Sequence, residues 1–174
     1  IGHRLAKELR EQGYVVTQFE GAGKQGPISM VFLQAPRRRM RPVIEHVIHA
    51  YHEVTPGLFA RAEAELRALG GAAMAPALDE LCILRDDQIE HMAKEEAVLF
   101  PWILSPRART AVAPIRAMQL EHRESLARLD ELRRLIDAAR AGASSARFDE
   151  LEHSLREHIE LEDLVLFPRA LSGG

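Results

Sequence analysis

The hydrophobic pattern changes character at Pro42. From there onward apolar residues recur at alternating intervals of three and four, which is typical of one buried face of an α-helix. Breaks rich in glycine, proline and serine divide this region. We predict helices over about 42–69, 77–104, 112–140 and from just after Ser145 to near Arg169. Short connections favour antiparallel neighbours, so the pattern predicts a mainly α fold, an up-down four-helix bundle.

The first 41 residues have a different pattern. Residues 3–12 have helical composition, whereas 14–20 and 28–34 are rich in β-branched and aromatic residues and flank a glycine-rich turn. We therefore predict a small α+β appendage over 1–41, made of a helix and a β-hairpin, and a bundle over 42–174. A two-stranded unit is only marginally stable alone, so the appendage needs further contacts.

Each predicted helix carries one histidine at mid-height of its apolar stripe. In chain order these are His52, His91, His122 and His158. A glutamate follows four residues after two of them, at Glu95 and Glu162, and residues four apart lie on the same helix face. On the second helix the spacing continues the inner stripe to Val98 and Trp102.

The two His-Glu pairs belong to a repeated segment. His91 to Pro101 reads HMAKEEAVLFP, and His158 to Pro168 reads HIELEDLVLFP. One such pair alone would be consistent with an exposed helical ion pair worth about 0.3–0.5 kcal/mol. Two copies, together with a histidine on each remaining helix, instead indicate a shared site inside the bundle.

Buried glutamates in this setting require positive charge. Removing a carboxylate from water costs several kcal/mol, and no Lys or Arg lies nearby on the inner stripes. Metal ions supply that charge, and imidazole with carboxylate is a common ligand set for iron, zinc and manganese. Four histidines and two glutamates exceed the needs of one tetrahedral zinc. The set therefore predicts two metals bridged by both glutamates, with open positions for a small ligand.

The other histidines are weaker candidates for metal ligands. Glu150-x-x-His153 matches one ferritin-like half-motif but stands alone, and we predict that His3 and His153 lie on the surface. His46 and His49 drift off the inner stripe and are interpreted as surface residues or as residues beside the site. Pro56 either kinks the first helix at His52 or divides that helix in two.

Composition and charge restrict the expected cellular compartment and the expected partners. No apolar run reaches the ~20 residues of a membrane span, and Cys82 is alone, so we expect no disulfide framework and a cytoplasmic location. Residues 1–41 have a net charge of +5 and the remainder −8. The arginines at 37–39 and 41 lack accompanying aromatic residues, so we interpret them as a solvated loop or an intramolecular contact and not as a nucleic-acid site.

These motifs resemble those of hemerythrin-like di-iron proteins. The two repeated segments, LEH at 120–122 and AYH at 50–52 carry the resemblance, which covers Pro42 to the C-terminus and is closest to the repair-of-iron-centres family of iron–sulfur cluster repair proteins. The resemblance implies two non-haem, oxo-bridged iron ions. It implies the ligands His52, His91, Glu95, His122, His158 and Glu162, with Asp163 as the alternative to Glu162.

Departures from the related proteins bear on function. Oxygen-carrying hemerythrins have a His-x3-His pair on the third helix, whereas here Met118 and Leu126 flank His122. They also have an Asp five residues after the fourth-helix histidine, and Asp163 does lie five residues after His158. Repair proteins often carry an N-terminal Cys-Cys pair, which this chain lacks. The resemblance implies repair of iron–sulfur proteins under nitrosative or oxidative stress, with NO or O2 as small ligand. The alternative is a non-enzymatic O2 or redox sensor, and neither oligomeric state nor enzymatic turnover follows from the sequence.

Overall fold

The structure, a computed structural model, describes residues 15–23, 26–34, 40–140 and 145–172. Three of the four bundle helices consist of α-helical segments joined through a π-helical turn. The first comprises Met40–Val47, the turn Ile48–His52 and Thr55–Gly70; the second comprises Ala75–Lys94, the turn Glu95–Leu99 and Phe100–Ile103. The third is continuous, Val112–Arg140, and the fourth comprises Ala146–Leu161, the turn Glu162–Leu166 and Phe167–Ser172. Short 3-10 turns occupy Gly71–Met74 and Ala108–Thr110.

Local signals set two helix ends. Gly71 follows the first helix with a φ of 59°, a left-handed conformation that glycine adopts without strain. Ser145 precedes the fourth helix, and its side chain accepts a hydrogen bond from the backbone N–H of Phe148 at 3.4 Å. Asp149 lies in the first turn of that helix, where a negative charge suits the helix dipole.

The four helices form a square in which neighbours along the chain lie side by side. The first packs against the second and the fourth, and the third packs against the same two. This arrangement confirms the predicted hemerythrin-like helical bundle.

The interior has two apolar clusters, one toward each end of the bundle. One contains Tyr51, Phe100 and Phe167 with their neighbours; the other contains Phe59, Leu84 and Phe148 with theirs. Between them lies a buried polar layer. Its members are His52, Thr55, Gln88, His91, Glu95, His122, Ser125, His158 and Glu162.

The π-helical turns change which residues face inward. In the second helix the backbone N–H of Phe100 bonds to the carbonyl of Glu95, five residues back, so the turn contains one extra residue. The predicted continuation of the inner stripe to Val98 is wrong in the second helix, although Val165, at the equivalent place in the fourth helix, is 1% exposed. Val98 is 55% exposed, whereas Leu99 and Phe100 are 2% exposed.

The prolines follow these turns. Pro101 and Pro168 lie directly beyond them and have no N–H for a regular α-helical hydrogen bond. In the first helix the second α-helical segment begins at Thr55, with Pro56 in its first turn. Glu53 and Val54 keep right-handed helical backbone angles between the two segments, so both interpretations of Pro56 stay predictions.

Preceding the bundle, two strands pair antiparallel. They are Val15–Gly23 and Gly26–Gln34, with Val15 opposite Gln34. The predicted helix over 3–12 lies outside the described residues, and the division into an appendage over 1–41 and a bundle over 42–174 stays a prediction. Among the described helices, none has the length and apolarity needed to cross a membrane.

Candidate metal centre

The four mid-helix histidines meet in the polar layer and direct their Nε2 atoms toward one another. The Nε2 atoms of His52 and His158 are 3.2 Å apart, and those of His91 and His122 are 3.1 Å apart. All four side chains are 5% exposed or less. The bundle therefore contains two close imidazole pairs, each with one ring from each of two adjacent helices.

Glu95 lies between the two imidazole pairs and faces both. Its Oε2 is 3.4 Å from His52 Nε2, and its Oε1 is 3.5 Å from His91 Nε2. The side chain is 0% exposed. One carboxylate thus presents a different oxygen to each pair, which is the arrangement of a bridging ligand.

Glu162 repeats this arrangement from the fourth helix. Its Oε2 is 3.2 Å from His122 Nε2 and its Oε1 is 3.4 Å from His158 Nε2. Two groups of possible metal ligands result, in each of which the donor atoms lie within 4.8 Å of one another. They are His52, Glu95, His158 and Glu162, and His91, Glu95, His122 and Glu162.

The outer nitrogens of three rings bind carboxylates. His52 Nδ1 lies 2.8 Å from Glu96 Oε1, and His91 Nδ1 lies 2.8 Å from Glu121 Oε2. A carboxylate at neutral pH can only accept, so Nδ1–H is the donor. The inward Nε2 atoms of these rings therefore carry lone pairs when the rings are neutral, the tautomer required of a metal ligand.

His122 is held in the same way by Asp163, with Nδ1 3.0 Å from Oδ1. Burial lowers the pKa of His122, but the contacts with Asp163 and Glu162 outweigh it and raise that pKa to about 10. Burial and the neighbouring charge of His122 lower the pKa of His91. One ring of this pair is therefore cationic and the other neutral in the metal-free protein at neutral pH.

The two buried carboxylates differ in their electrostatic environment. Burial and the charge of Glu162 raise the pKa of Glu95 well above its ordinary value. Burial acts the same way on Glu162, but its contacts with His158 and His122 dominate and hold its pKa well below the ordinary value. Ionisation of Glu95 is thus the unfavourable step in the metal-free site.

The residues fit a pair of cations. No donor among the described residues forms a hydrogen bond to any of the four oxygens of Glu95 and Glu162, although the atoms are fully buried. In each group two Nε2 atoms, 3.2 or 3.1 Å apart, face the same space as these oxygens. Positive charge placed there would compensate the buried carboxylates.

The structure brings all six predicted ligands into the two groups, while their role as ligands stays a prediction. Asp163, the predicted alternative to Glu162, belongs to neither group and pairs with the outer side of His122. His49 is exposed and pairs with Glu53 at 2.9 Å, and His153 is exposed beside Glu157.

Three other predicted or candidate positions lie elsewhere. His46 is half-buried and packs edge-on against Tyr51, with ring centroids 5.8 Å apart. His3 lies outside the described residues. Cys82 is a free, half-buried cysteine away from both groups.

Glu96 and Glu121 were not predicted as part of the site, and Asp163 was predicted only as an alternative metal ligand. Each of them directly adjoins a predicted ligand in the sequence: Glu96 follows Glu95, Glu121 precedes His122, and Asp163 follows Glu162. An acidic residue adjacent in the sequence to a predicted ligand was therefore the signal that could have identified these carboxylates. Its partner lies on a different helix, so spacing along one helix does not reveal it.

Comparison with known families agrees with this geometry. The family described as the hemerythrin HHE cation binding domain matches residues 43–170, which is most of the chain. The chain belongs to the hemerythrin family. The family resemblance predicted from the repeated segments is confirmed.

Curated relatives in this family have a more specific name. The chain is 35% identical to the iron-sulfur cluster repair protein YtfE of Musicola paradisiaca, over 99% of this chain and 83% of that protein. It is 33% identical to YtfE of an Enterobacter species, over 75% of this chain and 66% of that protein. It is 31% identical to YtfE of Escherichia coli, over 84% of this chain and 72% of that protein.

Proposed function

We propose that this hemerythrin-family chain binds two non-haem iron ions in the polar layer. The observation that supports the proposal is that each buried glutamate directs its two oxygens at different histidine pairs. Each ion would receive two imidazole nitrogens and one oxygen from each glutamate. One ion is assigned to His52 and His158, the other to His91 and His122, with Glu95 and Glu162 shared.

The proposed centre has room for a small exogenous ligand. Four protein donors leave positions free on a metal that prefers six, which suits an oxo bridge and one molecule such as NO or O2. Bound iron would supply redox and Lewis-acid chemistry at these positions. The outer carboxylates Glu96, Glu121 and Asp163 keep the protons on Nδ1, and the two apolar clusters exclude water from either side.

The proposed cellular role is recovery of iron–sulfur centres after nitrosative or oxidative stress. Its support is the similarity to YtfE proteins, which carry the name of iron–sulfur cluster repair proteins. The partners would be damaged iron–sulfur proteins in the cytoplasm, a reducing compartment that also suits the free Cys82.

Metal content tests the site. Protein supplied with iron(II) should contain about two irons per chain and show absorption bands of an oxo-bridged di-iron centre in air. His91→Ala and His158→Ala should each lower the iron content, because each removes one nitrogen from a different ion. His153→Ala is the matched control, since that histidine is exposed and outside both groups. Unchanged iron content in the first two variants would exclude the proposed ligands.

A separate assay tests the role. Iron-loaded protein is mixed with an enzyme whose iron–sulfur cluster was damaged by NO, and the recovered activity is compared with that obtained with free iron and with the metal-free protein. Recovery that requires the loaded protein is expected. A loaded protein that binds NO but restores no activity would contradict repair and favour the sensing alternative.

A further inference from the structure

The two proposed metal positions have unequal support around their histidines. The bundle has an approximate internal twofold repeat, because the second and fourth helices carry the same segment. In one half Glu96, next to Glu95, binds the first-helix ring at His52; in the other half Asp163, next to Glu162, binds the third-helix ring. These two contacts correspond to each other across the repeat.

The remaining two rings break the correspondence. Glu121 of the third helix binds His91 Nδ1 at 2.8 Å. The corresponding position on the first helix is Tyr51, whose ring stacks on His158 with centroids 5.2 Å apart and planes 9° apart. The Nδ1 atom of His158 is buried, and no described residue forms a hydrogen bond with it. A stacked aromatic ring thus replaces a carboxylate at one of four equivalent places.

This difference matters for metal affinity. A carboxylate on the outer nitrogen makes the imidazole a stronger base and fixes the ring and its tautomer. Loss of such a partner lowers affinity by about 10–100-fold in known metal sites. Both rings of the His91–His122 pair have the carboxylate, whereas only His52 of the other pair has it.

We infer that the His91–His122 position binds its metal more tightly, and that the His52–His158 position is the one that gives up its metal to an acceptor. This inference rests on the proposed two-metal site. The chain would then retain one ion while the other is exchanged, which suits a protein that donates iron.

Access from solvent affects the rates of metal binding and release, and it does not change the order of the two metal affinities. A cleft of about 330 Å³ runs between the second and third helices beside His91, lined among others by Glu90, Lys94 and Glu121. It gives the His91–His122 position an approach from solvent. The ranking must therefore be measured at equilibrium.

Anaerobic competition between the iron(II)-loaded protein and a coloured chelator is the experiment. In the unaltered protein we expect two release steps separated by about 10–100-fold in chelator concentration. Glu121→Gln weakens the tighter step and should bring the two steps together. Glu96→Gln is the matched variant: it weakens the looser step and should move the two steps further apart. Circular dichroism of each metal-free variant verifies that the bundle is folded.

The outcomes separate the inference from the proposed site. Release of two irons in a single step, with Glu121→Gln and Glu96→Gln behaving alike, would overturn the inequality and leave the two-metal site intact. Two steps that respond in the opposite sense to the two variants would reverse the assignment and overturn the inference. A protein that retains no iron against the weakest chelator would overturn the proposed site together with the inference.

Discussion

Replacing Glu95 by glutamine is expected to stabilise the metal-free protein. Burial and the charge of Glu162 raise the pKa of Glu95 above its ordinary value of 4.5. A group whose pKa is raised by folding contributes stability below that ordinary value and loses it as the pH rises through the folded-state pKa. At pH 8 the wild-type side chain must either carry a charge in the core or stay protonated at a pH where the same carboxyl group is ionised in the unfolded chain. Both cost stability. The amide removes that penalty and keeps the shape.

Glu162→Gln is the matched control with the opposite sign. The contacts with His158 and His122 hold the pKa of Glu162 below the ordinary value, so its ionised form stabilises the fold above pH 4.5. Removing an uncompensated buried charge relieves a desolvation penalty of several kcal/mol. Removing the partner of a charged group loses about 1–3 kcal/mol. The two glutamates share a motif, yet the two variants should shift the free energy of unfolding in opposite directions.

Urea unfolding followed by circular dichroism measures both effects. The three proteins are compared at pH 4 and pH 8 with EDTA present, and again with iron(II). At pH 4 we expect the wild-type protein and Glu95→Gln to differ little, and at pH 8 the variant to be more stable. Iron should reverse the order, because ligand at a thousandfold excess over Kd stabilises the binding protein by about 4 kcal/mol. A metal-free Glu95→Gln protein less stable than wild type at pH 8 would refute the reasoning, since Glu95 would then be a structural residue.

Three further predictions test separate features. Leu99→Ala should lower the free energy of unfolding by about 2–5 kcal/mol and Val98→Ala by less than about 0.5 kcal/mol; equal losses in urea denaturation would contradict the π-helical register. In the metal-free protein, Asp163→Asn should lower the His122 pKa from about 10, and with it the stability that the raised pKa provides below pH 6.5. An NMR titration of the ring that leaves the pKa unchanged would exclude the pairing. Ser145→Ala should cost about 1 kcal/mol in thermal unfolding, and no loss would mean that its hydrogen bond to the fourth helix is not a stabilising cap.

The sequence was sufficient for the bundle and for the six central residues. The helical period recurs over four long segments, and each mid-height histidine falls on an apolar stripe, so placement on a common face follows from geometry. His52 and His122 have no glutamate four residues later, yet the stripe alone places them in the same layer as the repeated pairs.

Two features could not be predicted from the spacing of residues along the chain. A heptad count assumes a constant number of residues per turn, whereas the turn Glu95–Leu99 contains one more, and Val98 within it was misplaced. The contacts of Glu96, Glu121 and Asp163 cross between helices, so they depend on helix rotation and separation. Helix rotation and helix separation are set by tertiary packing, which spacing along one helix does not reveal.

The polar layer has a consequence for folding cooperativity. It separates the apolar cluster around Phe100 and Phe167 from the cluster around Phe59 and Phe148, so the two ends of the bundle share few direct apolar contacts through the interior. Without cations, the unfavourable ionisation of Glu95 weakens this cross-section of the bundle, and we expect the two ends to open as separate units. With cations, all four helices are tied at one height. Native-state hydrogen exchange should then change from two opening free energies to one, so that the proposed centre also joins two half-bundles into a single cooperative unit.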